Sequence, residues 1–156
     1  MRLLMDSDCL IKLVKSSLKE AVCRSFTVVI PPLVRKEVVD EGRGRTDAEI
    51  VSQNLESKLL SLSAQPRLAS KGEEAVFTVF QSGRYDAICS DDKKFIKRLR
   101  LFRVPYLTPG VLIAALVKNG KLTLSEALDK LESLAPMVSE EEYSTVKLFL
   151  DGWRNE

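Results

Sequence analysis

Four acidic residues, Asp6, Glu37, Glu73 and Asp92, carry the chemistry this chain is equipped to do. Asp6 follows the apolar run Leu3-Leu4-Met5 and opens Asp6-Ser7-Asp8, while Asp92 closes Ser90-Asp91-Asp92 after Ala87-Ile88-Cys89. A short apolar run bounded by polar residues is the pattern of a strand buried in a parallel sheet. In such sheets ligands bind outside the carboxyl ends of the strands, which is where these acids fall. Glu37 lies three residues after Val34 and next to Val38, on or beside the inward stripe of a helix, and Glu73 stands in a helix's first turn. Three or four carboxylates around one point cannot all stay ionised without a cation. One or two Mg²⁺ or Mn²⁺ ions would relieve the repulsion, activate a water and stabilise a phosphate oxyanion. Histidine is absent, which removes imidazole acid–base chemistry, histidine metal ligation and His-activated nucleophiles. Hydrolysis must then rest on carboxylates and a hard, oxygen-preferring cation.

Each acid also has a plainer reading. Asp8 and Asp91 fit helix N-caps or first-turn residues that favour the helix dipole, Glu73 fits the third position of a capping box over Ser70-Lys71-Gly72-Glu73, and Glu37 fits a solvated helix face. Asp6 and Asp92 resist dismissal because both follow strand-like runs. Asp8, Glu74 and Asp91 are secondary candidates for the metal. Lys93, Lys94, Lys97 and Arg98, followed by Arg100 and Arg103, cluster after Asp92, and Arg43 and Arg45 lie in the loop after Glu37. Flanking an acidic site, they would line a groove for a phosphate backbone. Charge runs are more commonly solvated helix faces. No aromatic interleaving or base-reading motif accompanies them.

Strands are expected over 2–5, 26–30, 59–62, 86–90 and 104–108. Helices are expected over 9–19, 31–40, 47–58, 70–81, 93–101, 110–118, 124–134 and 140–153. Pro31-Pro32 opens one helix, Gly83 stops another, and Thr123 or Ser125, and Ser139, are candidate caps. Strands alternating with helices give a three-layer α/β domain with a central, mostly parallel sheet. The whole chain, 1–156, reads as one domain, with a helical tail from about 109 to 156 packed on it. Hydrophobic residues make up 45% and net charge is +2, too mild to prove a polyanionic partner alone. No apolar run is long enough for a membrane span, and Asp6 and Asp8 interrupt anything resembling a signal peptide. Cys9, Cys23 and Cys89, odd in number and set in apolar stretches, read as reduced core thiols of a cytoplasmic protein. The Leu, Ala and Val-rich stretch 112–134 is core or a self-association surface, so a homodimer is one expectation.

In order and spacing these segments resemble PIN-domain nucleases. Leu4-Met5-Asp6-Ser7-Asp8-Cys9-Leu10-Ile11 is similar to the family's opening motif, and Pro31-Pro32-Leu33-Val34-Arg35-Lys36-Glu37-Val38 resembles the second. Gly72-Glu73-Glu74-Ala75 resembles the Gly-Glu variant of the third, and Ile88-Cys89-Ser90-Asp91-Asp92-Lys93-Lys94-Phe95 the fourth. The tail from Tyr106 through Pro109-Gly110-Val111-Leu112 to Tyr143 looks like one subgroup of the family. The resemblance implies a three-layer α/β/α PIN fold and a Mg²⁺- or Mn²⁺-dependent nuclease, usually acting on single-stranded RNA. Members are often the toxin of a toxin–antitoxin pair, which would make an antitoxin protein a partner. Asp6, Glu37, Glu73 and Asp92 would inherit both the catalytic and the metal-binding roles. Two departures matter: Glu73 and Glu74 compete at the third motif, and Asp91 doubles Asp92 at the fourth. Two other readings stay open. One is a non-catalytic PIN-like module binding RNA or protein. The other is a haloacid-dehalogenase-like phosphatase, with Asp6 as nucleophile and Asp8 as proton donor.

Overall fold

A computed structural model describes residues 1–40, 42, 44–56, 59–64 and 72–155. Five parallel strands form one sheet in the order β3-β2-β1-β4-β5. They are β1 (Arg2–Met5), β2 (Thr27–Ile30), β3 (Ser61–Leu62), β4 (Ala87–Cys89) and β5 (Tyr106–Leu107). Past the exposed Arg2 and Thr27 the central strands are apolar, and Leu3, Leu4, Met5, Ile88 and Cys89 have no exposed surface. Burying each such side chain contributes about 1.5–3 kcal/mol relative to leaving it in water. Leu4 pairs with Val29 on one side and Ile88 on the other.

The strand order creates the site. From β1 the chain steps outward to β2 and β3, then returns across the sheet to β4 and β5. The reversal falls between β1 and β4, and crossovers leaving in opposite directions open a crevice at their carboxyl ends. Right-handed crossovers also put the helices of the two halves on opposite faces. The first half carries α1 (Ser7–Lys15), α2 (Lys19–Ser25), α3 (Pro32–Arg35) and α4 (Thr46–Glu56). The second carries α5 (Gly72–Ser82) and α6 (Lys93–Leu101), joined by an edge-to-face contact between Phe77 and Phe102. Three C-terminal helices, α7 (Pro109–Lys118), α8 (Leu124–Leu134) and α9 (Glu140–Arg154), pack on one another and against α1 and α2, completing the three-layer α/β/α fold. Leu112, Leu116, Leu131 and Leu150 belong to the same apolar core as the strands.

All five expected strands are present, and the sheet is wholly parallel. Thr123 caps α8 through a full capping box and Ser139 caps α9. The helix expected over 9–19 is instead two. Ser16 turns its hydroxyl back onto the Lys12 carbonyl at 2.8 Å, Ser17 takes a left-handed φ of 57°, and a second helix starts at Lys19. Serine competes for its own helix's carbonyls in this way, and the apolar spacing hid the break. The helix opened by Pro32 widens into a π-helical turn over Lys36–Asp40, which carries Glu37. The capping box expected at Ser70 involves residues outside those described.

Candidate active site

β1 ends at Met5, and its ladder runs one residue further, the Asp6 N–H donating to the Cys89 carbonyl at 3.1 Å. Asp6 therefore sits on the seam between β1 and β4. It caps α1, accepting the Cys9 N–H at 2.9 Å, and it also accepts a hydrogen bond from the Ser90 hydroxyl. Only 5% of Asp6 is exposed, and Ser90 is fully buried. Burial pushes the Asp6 carboxyl up to about 7, with help from the negative charges of Asp8 and Asp91 and against the pull of its two hydrogen bonds.

Beside Asp6 lies a small polar cleft of 70 Å³ lined by Asp6, Ser7, Asp8, Glu37, Gly72 and Glu73. Glu37 is held from two directions, by the Ser7 hydroxyl at 2.5 Å and the Gly72 N–H at 2.9 Å. Glycine at 72 makes room for this arrangement, because a Cβ would stand 2.5 Å from the Glu37 carboxylate. The carboxylate occupies the space a side chain would fill and takes a donor from the first turn of α5. Between the two neighbours, Glu73 faces the cleft, while Glu74 pairs with Arg98.

The second doublet is arranged differently. Asp92 caps α6, accepting the Phe95 N–H at 2.7 Å, and its own N–H donates to the Ser90 hydroxyl at 3.2 Å. Ser90 thus spans Asp6 and Asp92, although Asp92 does not line the cleft. The caps are Asp6 and Asp92; of the two roles expected for Asp8 and Asp91, N-cap or first-turn acid, Asp8 takes the second, in α1. Asp91 forms an ion pair with Lys12 and lines a separate groove of 370 Å³ with Lys93, Lys97, Arg100, Tyr106 and Glu142.

Of the basic candidates, Lys93 and Lys97 line that groove, and Lys94 is exposed on the same helix. Arg98 does not: it reaches to α5, pairing with Glu74 and lying 4.4 Å from the centre of the Phe77 ring. Arg45 is exposed just before α4, and Arg43 lies outside the described residues. A larger cavity of 580 Å³, lined by Val117, Lys118, Leu124, Phe149 and Trp153, has no carboxylate in its wall.

The match to a family model described as a PIN domain covers residues 2–150. The chain belongs to the PIN-domain family. PIN domains are generally nucleases that use divalent metal ions, and that membership removes the haloacid-dehalogenase alternative. Comparison with curated proteins gives no match. The PIN cleft suits such an ion by its donor set of carboxylate and hydroxyl oxygens, and by the burial, with a smaller push from neighbouring carboxylates, that keeps Asp6 partly protonated near neutrality. In their present rotamers no three acidic or sulfur ligands among the described residues gather tightly enough to clasp one ion. Sequence reasoning missed Lys12 and Glu142. Lys12 looks like a polar position on an amphipathic helix, and Glu142 like one of three acids favouring the start of α9.

Proposed function

We propose that this PIN domain is a Mg²⁺- or Mn²⁺-dependent ribonuclease cleaving single-stranded RNA, with Asp6, Glu37, Glu73 and Asp92 as the residues that hold the metal. The observation that carries the reading is the gathering of Asp6, Asp8, Glu37 and Glu73 around one small cleft, at the point where strand order reverses. When bound, the cation supplies charge neutralisation and an acidified water. The chain's own residues do the rest. Ser7 and the Gly72 N–H aim Glu37, Ser90 ties Asp6 to the start of the Asp92 segment, and burial of Asp6 excludes water from one side of the site. Lys93 and Lys97 would receive backbone phosphates on the groove side, where carboxylates alone would repel them. The acids of the cleft together with Asp92 would thus grip the cation, and the groove beyond β4 would grip the strand.

A role as the toxin of a toxin–antitoxin pair is part of this proposal and rests on the family resemblance; its signature would be growth arrest on expression, relieved by a co-expressed antitoxin. The decisive experiment incubates labelled single-stranded RNA with the protein in Mg²⁺ or Mn²⁺, beside an Asp6→Asn control. Metal-dependent cleavage lost in the variant supports the reading. Tight RNA binding without turnover in either metal would assign the domain to binding alone.

A further inference from the structure

Asp91 lies two residues past the end of β4 and next to Asp92, close enough to Asp6 to disfavour its ionised form, yet it is absent from the wall of the carboxylate cleft. Lys12 accounts for this. Its ammonium pairs with the Asp91 carboxylate, and both side chains are largely buried, 23% and 7% exposed. On the far side stands Glu142 of α9, half-buried, accepting the Gly110 N–H at 2.8 Å and the Thr108 hydroxyl. Lys12 also acts electrostatically on Glu142. Lys12 is therefore paired with Asp91 and only a weak electrostatic neighbour of Glu142. The pair is too buried to be a solvated surface bridge of negligible worth, and removing one partner would leave a charge with little water around it.

We propose that Lys12 is a positioning residue that holds Asp91 out of the carboxylate cleft. This rests on the metal-binding reading of that cleft. A fixed protein cation beside Asp91 means that the acid needs no divalent ion, so Asp91 stays out of the metal's ligand set. Without Lys12, Asp91 is an under-compensated carboxylate beside Asp6, and a divalent cation becomes its best available partner.

The test is Mn²⁺ titration of the full chain by calorimetry and by the loss of the free-ion paramagnetic signal, on the wild type, Lys12→Met, Lys12→Arg and the double variant Lys12→Met/Asp91→Asn. Circular dichroism and the metal-free melting midpoint check folding of each. Lys12→Met is expected to bind Mn²⁺ at least about tenfold more tightly, since the released Asp91 carboxylate adds a negative charge close to the ion. It should also melt below wild type without metal. Lys12→Arg should titrate within about twofold of wild type, as charge is kept. The double variant should return to near wild-type affinity, because the released carboxylate is gone. Unchanged Mn²⁺ affinity in Lys12→Met overturns the inference. So does a double variant that still binds tightly, which would mean that Lys12 acts only through its charge and does not hold Asp91. If Lys12→Met fails to fold, Asp91→Asn takes its place, and a metal-free midpoint no lower than wild type overturns the pairing. If the wild type itself binds no Mn²⁺, the metal reading fails and this inference with it, a pattern distinct from wild-type binding with unresponsive variants.

Discussion

The chain ends two adjacent strands in the same way, an apolar run into a carboxylate doublet, yet the two ends differ in what answers their charge. At β1, Asp6 is buried beside Asp8 and Glu37, and its partners there are neutral donors: Ser90, the Cys9 amide and, around Glu37, Ser7 and Gly72. At β4, Asp91 has its own ammonium from Lys12, and Asp92 is taken up by the first turn of α6. Hydrogen bonds from neutral groups orient a carboxylate but do not cancel its charge, so an ionised Asp6 stays costly where it stands, whereas Asp91 has an ammonium to meet it. The difference separates metal affinity from strand architecture: similar local sequence, different electrostatic task.

The largest expected effect tests that division. Asp6→Asn should lower metal-dependent RNA cleavage by at least about 10²-fold, the scale of losing one group aimed at the reacting charge, while the metal-free protein stays folded. Multiple-turnover assays of the pure variant measure it. Cleavage at the wild-type rate would place the chemistry elsewhere.

The same residue sets a pH dependence. Its folded value of about 7 lies above the ordinary value of 3.8, so the folded state holds a proton that the unfolded chain releases first. The stability contributed by the neutral carboxyl is therefore complete below about pH 4, declines as pH rises, and is gone above about 7. At about 1.4 kcal/mol per unit, the decline amounts to at most about 4 kcal/mol. Denaturant melts in a chelator between pH 4 and 8 should show this slope, and Asp6→Asn should flatten most of it. Saturating Mn²⁺ at pH 7.5 should restore stability, since a ligand of the native state alone must raise it. A pH-independent wild type would mean that Asp6 is ionised and satisfied without metal.

Gly72→Ala probes the support of the cleft separately from its charge. The added Cβ meets the end of the Glu37 side chain, which can swing away, so the fold should lose no more than about 1 kcal/mol. Glu37 would then lose the Gly72 donor, and Mn²⁺ affinity should fall by about 10-fold, the lower range for removing a group that orients a metal ligand. Intact affinity in this variant would remove Glu37 from the ligand set. At the other strand end, Asp92→Ala should cost about 1 kcal/mol through the lost cap, and Asp92→Asn much less, because asparagine caps as well. Activity that falls in both variants assigns Asp92 a role in the metal site; activity that follows stability leaves it a cap.

The parallel sheet was legible because its strands are short, largely apolar and punctuated by acids, glycine and proline, and because strand ends in such sheets face one edge. That logic placed Asp6, Glu37 and Glu73 near one another. It could not tell which member of a doublet caps and which does not, since Asp6, Asp8, Asp91 and Asp92 are chemically alike and the choice depends on the residue at which each strand ends. Lys12 and Glu142 were invisible because their roles are set by packing between elements 79 or more residues apart in sequence, Lys12 with Asp91 and, further along, with Glu142. Arg98 was misread because a basic residue in a basic run gives no sign of which side of the helix it takes.

That side decides the smallest of the expected effects. Lys93 and Lys97 line the groove on the β4 side, whereas Arg98 spends its charge on Glu74 and its plane on Phe77. Fluorescence anisotropy of a labelled single-stranded RNA in Ca²⁺, over a series of salt concentrations, reads the difference. Each lysine replaced by Ala should reduce the slope of log affinity against log salt by about 0.7, alike for every RNA sequence, because backbone contacts carry no base information. Arg98→Ala should leave the slope within error and instead lower stability by about 0.5–1 kcal/mol, since a half-exposed ion pair contributes little and the stacking on Phe77 is the larger part. A slope that changes with Arg98 and not with the lysines would put the RNA on the opposite face of α6, away from the groove, and the β4 end would then have no part in gripping the strand.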